Sequence, residues 1–288
     1  MYVVTGITGK VGAAVARSLL AAHQPVRAVV RDRSRSAPWA ELGCDIAVAD
    51  LSDAESLTAA FAGTAGVFAM LPPLFDPAPG FPEAMGFINP LRAALARAKP
   101  ARVVALSTVG ADAPQPNLLN VLGRMESALG NLLMPVAFLR AAWFMENAAS
   151  DIDSANSGLI QSYLQPLDRA VPMVSTDDVG RAAAALLQER WEGKRVVELE
   201  GPQRVSPNAL AAAFAKALGS SVRAEVVPRE RWESIFRAQG MKNPTPRIQM
   251  IEGFNAGWID FADCGAHARR GSTSIDQAIE ILIQRQRT

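Results

Sequence analysis

The chain has 288 residues, of which 49% are hydrophobic and 20% charged, with a formal net charge of +1. That balance excludes a broad basic footprint for nucleic acid or an anionic membrane, and the apolar content can bury a large core, as one big α/β domain or one domain with a smaller lobe. Cys44 and Cys264 are far apart without an x-x-Cys partner, and His23 and His267 are the only histidines, so the residues predict reduced, buried thiols, no disulfide and no metal site. No charged segment leads into an apolar run near Met1, and no uninterrupted apolar stretch reaches about 18 residues, so a cytoplasmic protein is expected.

Tyr2 to Gly12 reads YVVTGITGKVG. A β-branched run stops at Thr5-Gly6, three glycines follow at three-residue spacing, and an apolar, Ala-rich helical pattern runs from Val11 to about Leu20. Strand, phosphate loop and helix follow in that order. Gly6 suits the tight turn, Gly9 the close approach of backbone to a pyrophosphate, and Gly12 the packing of helix against sheet. The N–H groups of Ile7, Thr8, Lys10 and Val11, with the positive end of the helix, would face the phosphates. A dinucleotide is the predicted ligand.

Further strands are predicted at Val26–Val30, Asp45–Ala49, Gly66–Leu71, Arg102–Leu106 and Val136–Leu139, with helices near Ser52–Ala62, Glu83–Ala98 and Leu118–Leu133. Such alternation predicts βαβ units in a doubly wound parallel sheet, the Rossmann arrangement, with functional residues at the carboxyl ends of strands. After the second strand comes Arg31, with Arg33 and Arg35 nearby. A guanidinium there pairs with the 2′-phosphate of NADP, whereas Asp32 turned inward would take the ribose of NAD, and a solvated basic loop is the third possibility. NADP(H) over NAD(H) is the preference this position predicts. Asp50 and Leu51 follow the third strand, suited to the adenine, while Asp50 or Ser52 is equally suited to cap the next helix. Leu71 and Pro72 open a proline- and glycine-rich loop to about Pro82, either a cover over the cofactor or a mobile connection. Ser107 and Thr108 fall where a nicotinamide would lie.

These residues resemble the NmrA-like group of atypical short-chain dehydrogenases/reductases, which includes NADPH-dependent quinone reductases and redox-sensing regulators. The likeness rests on TGITGKVG at 5 to 12, VVRD at 29 to 32, ADLSD at 49 to 53, LSTVGA at 106 to 111 and LRAAWFMEN at 139 to 147, and continues through 171 to 187 and 196 to 219. It implies a Rossmann domain of residues 1–146 with about 172–200, and a smaller C-terminal α/β lobe of about 147–171 with 201–288. A final helix at Ser274–Gln284 carries Ile275, Ala278, Ile279 and Leu282 on one face, a packing stripe by its spacing with which the helix can pack back.

The pattern departs from the family where chemistry takes place. Many short-chain dehydrogenases place a tyrosine four residues before a lysine, which lowers the phenol pKa. Here Gly6 follows Tyr2 and Leu167 follows Tyr163 at that spacing, so the dyad is absent. Leu122 stands where many NmrA-like reductases keep a lysine before Glu126-Ser127-Ala128-Leu129. Arg124 nearby can orient a substrate or phosphate but cannot act as an acid. The family's Arg-Pro-Gly has become Arg140-Ala141-Ala142. Trp143, Phe144 and Asn147, after the sixth strand, suit a flat apolar pocket with one amide, or else simple core, and Phe254, Trp258 and Phe261 are candidates to close it. Two functions remain: hydride transfer from NADPH to a small quinone-like acceptor, or non-catalytic NADP(H) sensing through a regulatory protein partner, with no direct nucleic-acid contact.

Overall fold

The computed structural model describes residues 1–287. In chain order the first half contains β1 (Tyr2–Val4), α1 (Lys10–Ala21), β2 (Val26–Val30), α2 (Ala37–Glu41), β3 (Asp45–Val48), α3 (Ala54–Phe61), β4 (Gly66–Ala69), α4 (Pro82–Ala98), β5 (Val103–Thr108), α5 (Asn120–Leu129) and β6 (Val136–Ala141). The second half adds β7 (Trp143–Phe144), α6 (Ile152–Asn156), β8 (Leu159–Ser162), β9 (Met173–Val174), α7 (Thr176–Gln188), β10 (Lys194–Glu200), α8 (Pro207–Leu218), β11 (Arg223–Val226), α9 (Trp232–Ala238), α10 (Thr245–Ala256), β12 (Arg269–Arg270) and α11 (Ile275–Arg287). The predicted elements are all present. Their ends moved where side chains decided them: β5 and β6 continue to Thr108 and Ala141, and α5 begins only after Asn117 and Asn120 have bonded each other's segment, Asn117 Oδ1 accepting from the Leu119 N–H and Asn120 Oδ1 from the Asn117 N–H.

Eight strands form one sheet in the order β12-β10-β6-β5-β4-β1-β2-β3. The pairs β1/β2, β2/β3, β1/β4, β4/β5 and β10/β12 are parallel, with Tyr2 opposite both Val26 and Gly66. Strand order therefore reverses at β1, the switch point beside which α1 starts, and the expected α/β Rossmann class is the observed one. The chain divides into two compact units, one of Met1–Ser107, Val121–Arg140 and Val179–Val197, the other of Thr108–Asn120, Ala141–Asp178 and the chain from Glu198 onward.

In the first unit, strand residues such as Val3, Val67, Val103 and Phe138 share one apolar cluster with Leu57 and Phe61 of α3, Ile88 and Leu91 of α4, and Met125 and Leu129 of α5. Leu122, which the resemblance sets in place of a lysine, is partly buried and packs against this cluster. The opposite face is covered by α1 and α7: a Cβ on Gly180 would lie 2.4 Å from the Ala14 Cβ, and one on Gly66 would meet Leu187. Glycine at 180 lets two helix backbones approach closely.

In the second unit, α11 packs on α8, and Ile279, Leu282 and Ile283 join Phe214, Ala211 and Ile160 in a separate cluster, with Ile275 at its margin. Two short parallel pairs, β8/β11 and β7/β9, also belong to it. Cys44 is buried as expected, which pushes its thiol pKa up, but Cys264 is exposed, contrary to expectation: it sits in a short turn with φ of 52°. No helix among the described residues is long and apolar enough to cross a membrane, and no group of three or more His, Cys, Asp or Glu among them is placed to hold a metal ion.

Candidate functional site: the carboxyl edge of the first-unit sheet

Thr5 ends β1 by bonding sideways. Its hydroxyl donates to the Phe68 carbonyl at 3.1 Å and accepts from the Met70 N–H at 3.1 Å, which ties the carboxyl ends of β1 and β4 together. Gly6 then turns at φ of 63°, a left-handed conformation that favours glycine, and the Gly9 N–H closes the loop on the Gly6 carbonyl at 2.9 Å. Gly12 has a different neighbour from the one expected. A Cβ there would fall 2.3 Å from the Gly6 carbonyl oxygen, so Gly12 packs helix against loop rather than against sheet.

Gly9 is the N-cap of α1, extended at φ −97° and ψ 172°, with no side-chain cap and no acidic residue in the first turn. Its Cβ would have only the Gly6 oxygen near it, at 3.3 Å. Open space beside an uncapped helix start with no negative charge is what a pyrophosphate requires, so these residues fit a dinucleotide. Ile7, Val11 and Gly12 are buried, so they have only backbone to offer a ligand, while Thr8 and Lys10 are exposed.

Arg31 is exposed at the end of β2. Asp32 does not turn inward: its carboxylate accepts from the Ser34 N–H at 2.8 Å and caps a short 3-10 turn at Arg33–Arg35, and the Ser34 side chain first, then its N–H, hold the Asp32 pKa low. Asp50, exposed beyond β3, accepts from both the Ser52 N–H (2.8 Å) and hydroxyl (2.5 Å), and these bonds, followed by the charge of Arg31, lower its pKa. Neither Asp50 nor Ser52 caps α3. Asp53 does, accepting from the Glu55 and Ser56 N–H groups, because the Asp50–Ser52 turn delays the helix start. Leu51 packs against the core cluster; Leu71 is buried and Pro72 half-buried. Glu83 accepts from the Ala78 N–H and Phe81 stacks under the Arg124 guanidinium at 5.3 Å, so the far end of the 71–82 loop is anchored and Arg124 serves that anchor.

Ser107, at the end of β5, is buried, and its hydroxyl donates to Glu126 at 2.5 Å. Arg140, at the end of β6, grips the same carboxylate through Nε (2.9 Å) and a terminal nitrogen (2.6 Å). Sequence reasoning named all three residues but not this linkage, which joins β5, α5 and β6. Gly6, Arg31, Asp50 and Leu71 thus follow the carboxyl ends of β1, β2, β3 and β4, Ser107 is the penultimate residue of β5, and Gly9 starts α1.

Thr108, Trp143, Phe144 and Asn147 belong to the second unit. Trp143 and Phe144 form β7 and are half-buried, and Trp143 meets Phe254 edge to face, with ring centroids 5.2 Å apart. Asn147 is exposed on a 3-10 stretch, Met145–Asp151, whose Glu146 is buried and accepts from the Thr176 N–H at 3.0 Å. Phe261 is buried and Trp258 half-buried against Gly253.

A family model described as NAD(P)H-binding matches residues 6–190, more than half of the chain and the whole of the glycine loop from Gly6 onward. The chain belongs to that NAD(P)H-binding family. The NmrA-like resemblance agrees with this membership. A relative in Xenophilus azovorans, an NAD(P)H azoreductase, is 27% identical over 247 residues, covering 84% of this chain and 82% of the relative. Among solved structures, a triphenylmethane reductase from Citrobacter sp. superposes with a TM-score of 0.81 at 21% identity, covering 98% of this chain and 99% of the other. An NADPH-dependent quinone oxidoreductase from Escherichia coli, complexed with NADPH, also gives 0.81 at 21% identity, covering 98% and 100%. At that identity the likeness of these two is one of fold.

Proposed function

We propose that the protein is an NADPH-dependent reductase of small planar acceptors, quinones foremost. The observation that carries this reading is the uncapped, acid-free start of α1 at Gly9, open to a pyrophosphate. The activities named for the azoreductase, dye-reductase and quinone-reductase relatives support it. When bound, the reduced nicotinamide supplies a hydride.

Arg31 favours the phosphorylated cofactor, since the neighbouring carboxylates are occupied by their own turns, Asp32 by the Ser34 N–H and Asp50 by Ser52. Leu51, Leu71 and Pro72 flank the adenosine half with apolar surface, and Ser107 borders the nicotinamide. Trp143, Phe144 and Asn147 are assigned to the acceptor. Ser107 donates its only hydroxyl proton to Glu126, and no Tyr-Lys dyad exists, so the protein favours acceptors whose reduced oxygen needs little protonation. A quinone gives a phenolate-like oxygen with a pKa near about 10, far less basic than the alkoxide from a ketone. The same missing proton donor favours a second reading, an NADP(H)-binding redox sensor that acts through a protein partner.

Calorimetric titration with NADPH and NADH tests the cofactor assignment. The unmodified protein is expected to prefer NADPH by about tenfold or more, equivalent to about 1.4 kcal/mol, and Arg31→Ala to erase most of the preference while leaving NADH binding nearly unchanged. Equal affinity for both cofactors in the unmodified protein refutes it. The two functional readings separate on whether any quinone oxidises the bound NADPH.

A further inference from the structure

Between the chain after β8, the end of β11 and α10, the second unit carries an open cleft of about 700 Å³, lined by Gln165, Leu167, Val226, Arg229, Glu252 and Asn255 among others. Its walls are tied together by hydrogen bonds. Asn255 of α10 donates to the Tyr163 carbonyl at 3.0 Å and accepts from the Gln165 N–H at 2.9 Å, while the Leu167 carbonyl accepts from the Asn208 N–H of α8 at 3.0 Å. The Val227 N–H, just past β11, donates to the Ser162 carbonyl at 2.9 Å, which fastens the opposite wall to β8. Arg229 opens a 3-10 turn at Arg229–Arg231 and holds its guanidinium over the Trp232 ring, 5.1 Å from the centroid. Trp232 is fully buried and its indole N–H donates to the Val227 carbonyl at 2.8 Å, so the cleft presents the guanidinium and not the indole.

Arg229 Nε donates to one oxygen of Glu252 at 2.6 Å, and both side chains are close to half exposed. The terminal nitrogens of Arg229, the second Glu252 oxygen and the Gln165 side-chain amide have no partner among the described residues. The cleft therefore holds one cation and one anion side by side, each with bonding capacity left, next to the apolar side chains of Leu167, Val226 and Ala256. It lies on the other face of α10 from the residues assigned to the acceptor: Phe254 meets Trp143, whereas Glu252 and Ala256 stand two positions either side of Phe254, about 200° round the helix.

We propose that this cleft binds a free α-amino acid with an apolar side chain, as its zwitterion. The ligand carboxylate lies along the terminal edge of Arg229, the ammonium donates to the remaining oxygen of Glu252, and the side chain covers Leu167 and Val226. The ion pair selects for both charges at once. A carboxylate without an ammonium would stand uncompensated beside Glu252, and an ammonium without a carboxylate beside Arg229, whereas an α-amino acid carries the two on one carbon. The apolar wall adds a contact that glycine cannot make.

Calorimetric titration of the full chain with leucine, phenylalanine, glycine, leucinamide and 4-methylpentanoate tests this. No nicotinamide cofactor is present, so failure here leaves the reductase reading intact. Leucine or phenylalanine is expected to bind about tenfold more tightly than any of the other three. Arg229→Gln should weaken that binding about tenfold and bring leucine level with leucinamide. Glu252→Gln removes the anion and should bring leucine level with 4-methylpentanoate, a change of preference that an ion pair with a merely structural role would not produce. Circular dichroism checks that each variant is folded. Failure of both leucine and phenylalanine to bind at about 10 mM, equal affinity for glycine, leucinamide or 4-methylpentanoate in the unmodified protein, or undiminished affinity in folded Arg229→Gln overturns the proposal.

Discussion

Gly9 and Gly12 are three residues apart in one loop, yet a side chain meets different surroundings at each. At Gly12 a Cβ would press on the Gly6 backbone at 2.3 Å, and backbone cannot swing away, so Gly12→Val is expected to unfold the loop and lower the melting temperature. At Gly9 the backbone is extended and the Cβ direction open, so Gly9→Val should fold normally and lose dinucleotide binding, because the branched side chain occupies the place of the pyrophosphate. Melting curves and calorimetric titration of the two variants check both outcomes. Asp151 behaves differently again. Burial raises its pKa from 3.8 to about 6, so between about pH 4 and pH 6 the folded state binds more protons than the unfolded one and stability falls as pH rises. The carboxyl is partly solvated, which reduces the loss to about 2 kcal/mol. Asp151→Asn cannot ionise, so it should melt several degrees above the unmodified protein at about pH 7.5 and nearly with it at about pH 4. An equal gap at both pH values would count against an Asp151 pKa set by burial.

At the scale of elements, α3 shows how a turn displaces a helix start. Asp50 and Ser52 bond each other, and Asp53 therefore supplies the cap. Asp53→Ala should cost about 1 kcal/mol in chemical denaturation, the usual value of a lost N-cap, and Asp50→Ala distinctly less, since its bonds lie in an exposed turn. A larger loss for Asp50→Ala than for Asp53→Ala would reverse the assignment. The Ser107–Glu126–Arg140 linkage works across elements: one carboxylate holds the ends of β5 and β6 to α5, and it fixes the Ser107 hydroxyl as donor toward Glu126. Ser107 therefore presents lone pairs, not a proton, to anything beyond it.

For the molecule as a whole, the proposed reduction without a Tyr-Lys dyad should be selective by product basicity. Quinones are expected to turn over and unactivated ketones to fail, since a general acid contributes about 10² to 10⁴ in rate and only acceptors that do not need one escape its loss. Stopped-flow NADPH oxidation with a quinone and a ketone in parallel decides the matter. Rapid ketone reduction reveals an acid elsewhere in the molecule, and inert quinones with tightly bound NADPH leave the sensor.

Local chemistry in the chain determined the class of this fold. The β-branched runs at Tyr2–Val4 and Val26–Val30, the glycines at 6, 9 and 12, and the alternation with apolar helices fixed strand, loop and helix order, because period and turn chemistry act within a few residues. They also singled out the candidate cofactor residues, since a doubly wound sheet puts such residues after its strands. Tertiary structure decided what depends on partners distant in sequence. Gly12 answers to Gly6 and Gly180 to Ala14, and Ser107 finds its acceptor on α5. No local periodicity encodes those meetings, because each results from how whole elements pack, and packing is a property of surfaces rather than of neighbours in sequence.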